Sequence, residues 1–209
     1  MYNTIIFDLD GTLLNTQSGI VNALKTALSE RKFKLSDDEI LKKFVGPPIH
    51  ESFMKYFDLT YEQAKENVCY FRKIYSENCM FDACLYDGIY DLLENLKKQN
   101  KKLAIATNKS HNNACRIIEH FKLDKYMDFY MGSDMDGKLK KSDIVLKCIE
   151  KVNSKKSDCV LIGDSSHDET GAKIAGIDFI PVSYGFGFKD RGYKNIFELK
   201  EKLLLQEHS

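Results

Sequence analysis

The run Asp8-Leu9-Asp10-Gly11-Thr12 sets two carboxylates two residues apart. It directly follows the apolar stretch Ile5-Ile6-Phe7, so it stands where a strand gives way to a loop. Carboxylates that close repel one another unless a cation lies between them. Oxygen-only donors suit magnesium, which keeps several waters and takes few carboxylates together with a phosphate. Gly11 gives the backbone room to turn, and Thr12 is expected to fix that turn by hydrogen bonding. Taken alone, Asp-x-Asp describes a turn with solvated acids; the whole string after Ile-Ile-Phe is much more specific.

Two further apolar runs stop at polar residues. Leu103-Ala104-Ile105-Ala106 ends at Thr107, and Cys159-Val160-Leu161-Ile162 ends at Gly163-Asp164. In open α/β sheets, ligands bind outside the carboxyl ends of the strands, near the point where strand order reverses. Asp8, Thr107 and Asp164 are therefore expected to converge although they are far apart in the chain.

The elements that must position them follow the same logic. A strand is predicted over Tyr2–Phe7, a fourth over Phe179–Val182, and a weaker one over Phe129–Met131. Near-continuous apolar character, rather than alternation, marks strands covered on both faces. Between them, Ala114, Ile117, Ile118 and Phe121 keep the spacing of one buried helical face, as do Ile144, Val145, Cys148, Ile149 and Val152. Right-handed crossovers would place such helices on both faces, giving an α/β, doubly wound, Rossmann-like parallel sheet.

The stretch 15–84 differs. It has no convincing strand and several helix starts: Ser36-x-x-Glu39 and Thr60-x-x-Gln63 both match the capping box. Ile20, Leu24, Ala27 and Leu28 form one apolar stripe, and Ala64, Val68, Phe71 and Tyr75 another, with Gly46-Pro47-Pro48 breaking the run between them. The expected organisation is a catalytic core of residues 1–14 and 85–209, with a small α-helical cap domain, 15–84, inserted after the first strand.

Composition narrows the function classes. Lys+Arg and Asp+Glu number 31 each, so no global field draws the chain onto nucleic acid or an anionic membrane. Six cysteines form no Cys-x-x-Cys pair and read as free thiols, which fit a reducing compartment. No signal-peptide core precedes Asp8, and no apolar run has membrane-spanning length. A cytoplasmic protein is expected, with no nucleic acid or membrane as partner, as a monomer or weak homodimer.

The motifs together resemble the haloacid dehalogenase superfamily of phosphohydrolases, in its phosphoglycolate-phosphatase-like branch with a helical cap. The family's D-x-D-G-T stands as Asp8 to Thr12, and its strand ending in Ser or Thr stands as Ala104 to Asn108. Its helix-opening lysine is best matched by Lys141-Ser142-Asp143-Ile144-Val145, and its G-D-x-x-x-D by Gly163 to Asp168. The matches fall in the family's order and span essentially the whole chain.

The resemblance implies a role for each residue. Asp8 would attack phosphorus and form an aspartyl-phosphate. Asp10 would protonate the leaving oxygen and then activate water. Mg2+ would be held by Asp8, Asp164 and, through its backbone carbonyl, Asp10. Leu9, Thr107, Asn108 and Lys141 would bind the phosphoryl group, with Lys141 balancing its charge. Asp168 would act through water or hold the lysine.

The chain also departs from the pattern. Lys138-Leu139-Lys140-Lys141 lacks the proline that often follows the family's lysine, so Lys140 competes with Lys141, and Asn15 stands where many relatives have Asp. His167 is expected to face solvent or substrate rather than a hard-oxygen metal site, and the other four histidines are expected at the surface. Gly185-Phe186-Gly187 resembles a loop of this branch and is assigned no chemistry.

The function implied is hydrolysis of a small phosphomonoester, phosphoglycolate-like or a nucleoside monophosphate as in a 5'-nucleotidase. The alternatives are a β-phosphoglucomutase-like phosphomutase and a phospho-accepting switch. Asp10 argues against the switch, because an acid/base beside the nucleophile shortens the life of the phosphoenzyme.

Overall fold

A computed structural model describes residues 2–34, 37–134 and 138–204 of the chain. The first strand, β1 (Thr4–Phe7), is buried along its whole length. It is followed by β2 (Leu14–Asn15), then four helices: α1 (Gln17–Glu30), α2 (Asp38–Lys42), α3 (Ile49–Phe57) and α4 (Tyr61–Ile74). After β3 (Cys84–Leu85) strands and helices alternate: α5 (Ile89–Lys98), β4 (Lys102–Ser110), α6 (His111–His120), β5 (Phe129–Ser133) and α7 (Lys141–Lys151). The order ends with β6 (Cys159–Gly163), α8 (Ser166–Ala175), β7 (Asp178–Pro181) and α9 (Ile196–Leu204).

Five strands form a parallel sheet in the order β5-β4-β1-β6-β7. The chain builds outward from β1 on one side through β4 and β5, then returns to the other side through β6 and β7. The strand order therefore reverses at β1, where a doubly wound sheet has its crevice. Register sets Phe7 opposite Ile105 on one neighbour and Ile162 on the other. Asp8, Thr107 and Asp164, one or two residues further along, thus lie side by side towards the carboxyl ends of these strands.

The core explains why these strands read as unbroken apolar runs. Ile6, Ala104, Ala106 and Leu161 pack against Ile144, Val145 and Cys148 of α7 and Ala172 and Ala175 of α8. Ile5, Phe7, Leu103, Ile105, Val160 and Ile162 alternate with them, face the other way, and are also fully buried. Burying each such side chain contributes ~1.5–3 kcal/mol.

Some boundaries differ from the pattern-based expectation. The second strand does not stop at Thr107 but runs to Ser110, with an irregularity in its pairing to β5 between Ala106 and Ser110. Polar side chains at a sheet edge end the hydrophobic pattern before the backbone pairing ends. Val182 lies just past β7 and bridges Tyr193 instead.

The chain divides into two compact units, residues 1–14 with 85–209, and residues 15–84. The crossings between them, β2 and β3, form a two-stranded sheet. The second unit is helical. Phe44 lies at its centre, with ring centroids 5.3 Å from Phe53 and 5.6 Å from Tyr56. Helix α4 opens on the capping box expected at Thr60: the Gln63 N–H donates to Thr60 Oγ1 (3.3 Å) and the Thr60 N–H to Gln63 Oε1 (2.9 Å). Ser36 of the other expected capping box lies outside the described residues; Asp37 caps α2 by accepting from the Glu39 N–H. Among the described residues, no helix is long and apolar enough to cross a membrane.

Candidate active site

At the end of β1 the chain turns sharply. The Leu9 carbonyl accepts from the N–H groups of Leu13 (3.1 Å) and Leu14 (3.0 Å), and the Gly11 N–H donates to the Leu14 carbonyl (2.7 Å). Gly11 has φ +86°, the left-handed region that favours glycine, and a Cβ there would fall 2.3 Å from Asp164 Oδ2. Backbone groups hold this turn, contrary to the expectation for Thr12, whose buried Oγ1 has no hydrogen-bond partner among the described residues. The Asp8 N–H donates to the Ile162 carbonyl (2.9 Å), pinning the first carboxylate beside β6. Leu9's side chain is fully buried.

Lys141, the first residue of α7, reaches back into this corner. Its Nζ lies 2.5 Å from Asp8 Oδ1 and 2.7 Å from Asp168 Oδ1, and all three side chains are at least nine-tenths buried. Gly171 of α8 makes room for the lysine stem, since a Cβ there would sit 2.5 Å from Lys141 Cγ. Lys140 is exposed, with its backbone N–H donating to Asp143 Oδ2 (2.9 Å). Of the two competing lysines, Lys141 lies among the carboxylates, whereas Lys140, the extended residue that precedes α7, is exposed.

Asp168 is held on both sides. Its Oδ2 accepts from Ser165 Oγ (2.6 Å) and the Ser165 N–H (3.2 Å) in the capping box of α8, while Oδ1 meets Lys141. Asp164 directly follows β6, and its Oδ2 accepts from the backbone N–H groups of Phe186 (2.6 Å) and Gly187 (3.1 Å). Thr107 is buried, and its Oγ1 accepts from the Lys109 N–H (3.2 Å). Asn108 is exposed at the same end of β4.

Two features escaped the sequence reading. Lys109 Nζ lies 3.2 Å from Asp10 Oδ2, with the lysine side chain only 8% exposed. Ending the strand at Thr107 left Lys109 as one more loop lysine, although its place two residues beyond the threonine was a usable signal. The other is Gly185-Phe186-Gly187, read as chemically silent, which supplies both donors to Asp164. His167 is half-buried, and His111 contacts Cys115 Sγ at 3.6 Å; neither belongs to the carboxylate cluster. His208 lies outside the described residues.

Electrostatics bear on whether a cation fits. Asp8, Asp164 and Asp168 each offer an oxygen, all within 4.8 Å of one another. Asp10 turns its carboxylate to Lys109 and is outside this cluster, which leaves its backbone carbonyl as the ligand expected of it. Four carboxylates less two ammoniums leave a net charge of two negatives, matching one divalent ion. Burial works against the Lys141 ammonium, but Asp168 and Asp8 outweigh it and hold its pKa above the ordinary lysine range. Burial pushes Asp8 up against the pull of Lys141, with Asp168, Asp164 and Asp10 adding to the push. Asp164 is likewise raised to about 6 by burial and by Asp168, opposed by the Phe186 and Gly187 N–H groups. This is the electrostatic stress that a hard divalent cation relieves, and the oxygen-only donors fit magnesium.

Comparison with known proteins places the site in a lineage. The family model for haloacid dehalogenase-like hydrolases matches residues 5–182, from the second residue of β1 to just past β7. The chain belongs to this family. A 5'-nucleotidase from Pseudomonas aeruginosa is 33% identical over 190 residues, covering 90% of this chain and 86% of that protein. The tyrosine-protein kinase PtkA from Mycobacterium tuberculosis is 34% identical over 187 residues, but the chain spans only 64% of its length. A solved structure from Clostridium acetobutylicum, described as a predicted phosphatase, superposes with a TM-score of 0.90 at 37% identity, covering 98% of this chain and 99% of that one. As a haloacid dehalogenase-like hydrolase of the phosphatase class, the protein carries its acidic run after β1, its buried lysine at the start of α7, and its acidic pair after β6 and in α8.

Proposed function

We propose that the protein hydrolyses a small phosphomonoester by way of an aspartyl-phosphate on Asp8, with magnesium as cofactor. The observation that carries this reading is the buried ammonium of Lys141 set between Asp8 and Asp168, next to the oxygens of Asp164. A lone structural ion pair needs one carboxylate. Here one cation serves two, in a corner that still holds excess negative charge.

In the first step an Asp8 oxygen attacks phosphorus, and the bond from phosphorus to the ester oxygen breaks. Asp10 gives its proton to that leaving oxygen. Thr107 and Asn108, with the backbone at Leu9, hold the phosphoryl oxygens, and Lys141 offsets their charge as it builds. In the second step water attacks phosphorus, Asp10 takes the water's proton, and the Asp8 carboxylate leaves, so inorganic phosphate and an alcohol are the products. Magnesium, held by Asp8, Asp164 and the Asp10 carbonyl, would supply further charge neutralisation at the phosphoryl group. Asp168 keeps Lys141 in place.

The substrate classes favoured are phosphoglycolate-like acids and nucleoside monophosphates, the latter in keeping with the 5'-nucleotidase among the relatives. Residues 15–84 take the part of a cap that selects the leaving group and limits water during transfer. The free thiols Cys69, Cys79, Cys84, Cys115, Cys148 and Cys159 support a cytoplasmic setting.

The test is phosphate release from a panel of phosphoglycolate, nucleotides, sugar phosphates, pyrophosphate and p-nitrophenyl phosphate in Mg2+. Asp8→Asn should cut turnover by ~10^4-fold or more while leaving the circular dichroism spectrum unchanged. Undiminished turnover in that variant would sink the mechanism.

A further inference from the structure

Gly185, Phe186 and Gly187 follow β7 and lie against the end of β6. The Phe186 and Gly187 N–H groups donate to the same oxygen, Asp164 Oδ2, at 2.6 and 3.1 Å. The Phe188 N–H donates to the Asp164 backbone carbonyl at 2.7 Å, so three consecutive amides converge on one residue. The loop is anchored on either side. Tyr184 Oη donates to the Thr12 carbonyl (3.0 Å) with its ring edge-on to Tyr86, and Lys189 Nζ donates to the Gly185 carbonyl (2.9 Å).

The glycines are there for closeness. A Cβ on Gly185 would fall 2.3 Å from the Gly11 carbonyl oxygen and 2.4 Å from Asp164 Oδ2. A Cβ on Gly187 would fall 2.4 Å from the Asp164 carbonyl oxygen. Any side chain at either position would push the amides away from the carboxylate.

We propose that Gly185-Phe186-Gly187 is a positioning loop for cation binding: its two amides fix the rotation of Asp164 and leave the second carboxylate oxygen to the metal. Two donors on one oxygen stop the carboxylate from turning. Oδ1 takes no hydrogen bond among the described residues. Groups that orient a metal ligand typically matter ~10–100-fold in metal affinity. The proposal rests on the magnesium reading above and adds to it residues that carry no metal-binding side chain.

The probe is Mn2+ alone, with binding followed by the electron paramagnetic resonance signal of the free ion. Gly187→Ala, folded by circular dichroism, should bind Mn2+ at least ~10-fold more weakly than the unaltered protein. Phe186→Ala keeps the amide and should stay within about 2-fold, well below the loss expected for an orienting group. Equal affinity in folded Gly187→Ala overturns the loop's role while leaving the metal reading intact. No Mn2+ binding by the unaltered protein overturns the metal reading itself, and the proposal with it. Should Gly187→Ala not fold, the unaltered protein still decides. In an 15N-labelled sample titrated with Mg2+, the Phe186 and Gly187 amide resonances should move with the same binding isotherm, and if they stay put the proposal fails.

Discussion

Replacing Lys141 with Met isolates the charge of the buried lysine from its bulk. The methionine stem still fills the space beside Gly171, but the ammonium between Asp8 and Asp168 is gone. Removing one partner of a buried ion pair costs ~3–5 kcal/mol, because the other charge is left uncompensated. Here two carboxylates lose their cation, which points to the upper half of that range. For a chain of this size each kcal/mol moves Tm by ~2–4 °C, so a fall of ~8–20 °C is expected.

The measurement is thermal unfolding in EDTA, so that bound metal cannot mask the loss. It should depend on pH in a definite sense. Burial raises Asp8 above its ordinary carboxylate range and Lys141 opposes that rise, so without the ammonium Asp8 favours the folded state only when protonated. The deficit should therefore be larger at pH 8 than at pH 5. Turnover in excess Mg2+ should drop ~10^2–10^3-fold with the loss of a group that meets developing charge. Lys140→Met is the matched control: an exposed side chain should move stability by no more than about 0.5 kcal/mol. The reasoning fails if Lys141→Met unfolds within 2 °C of the unaltered protein, or if Lys140→Met carries the larger loss.

Lys109→Met tests the ion pair with Asp10. Loss of an oriented acid/base group costs ~10^2–10^4-fold, and the cost should be greatest for alkyl phosphomonoesters, whose leaving oxygen needs a proton. p-Nitrophenyl phosphate should suffer at least ~10-fold less, as expected when acid catalysis is the part removed. Equal losses on both substrates would show that Lys109 does not act through Asp10. The thiols should separate by burial: Cys69 and Cys84 are exposed, whereas burial pushes Cys148 up to about 12. In the folded protein, alkylation mapped by mass spectrometry should label Cys69 and Cys84 first and Cys148 only on unfolding. Early labelling of Cys148 would contradict the packing of α7 on the sheet.

Much of the architecture was legible in the chain because it rests on one-dimensional signals. Three apolar runs, each ending at a strand edge in Asp8, Thr107 or Asp164, mark a parallel sheet buried on both faces, and β1, β4 and β6 are adjacent strands of it. The capping box at Thr60 was equally local. The division of helices from strands needed only periodicity.

Tertiary structure alone settled which neighbours meet. Lys140 and Lys141 are neighbours in the chain, but α7 begins at Lys141, whose ammonium meets Asp8, while Lys140 precedes the helix in extended backbone and is exposed. Lys109 looks like any loop lysine until β4 carries it past Thr107 to Asp10. Gly185-Phe186-Gly187 has no side chain with chemistry to detect, because what it offers Asp164 is backbone. The acidic run was legible in sequence because the whole string Asp8-Leu9-Asp10-Gly11-Thr12 directly follows the apolar Ile5-Ile6-Phe7. Its counter-charges come from β4 and α7, and only folding brings them within reach.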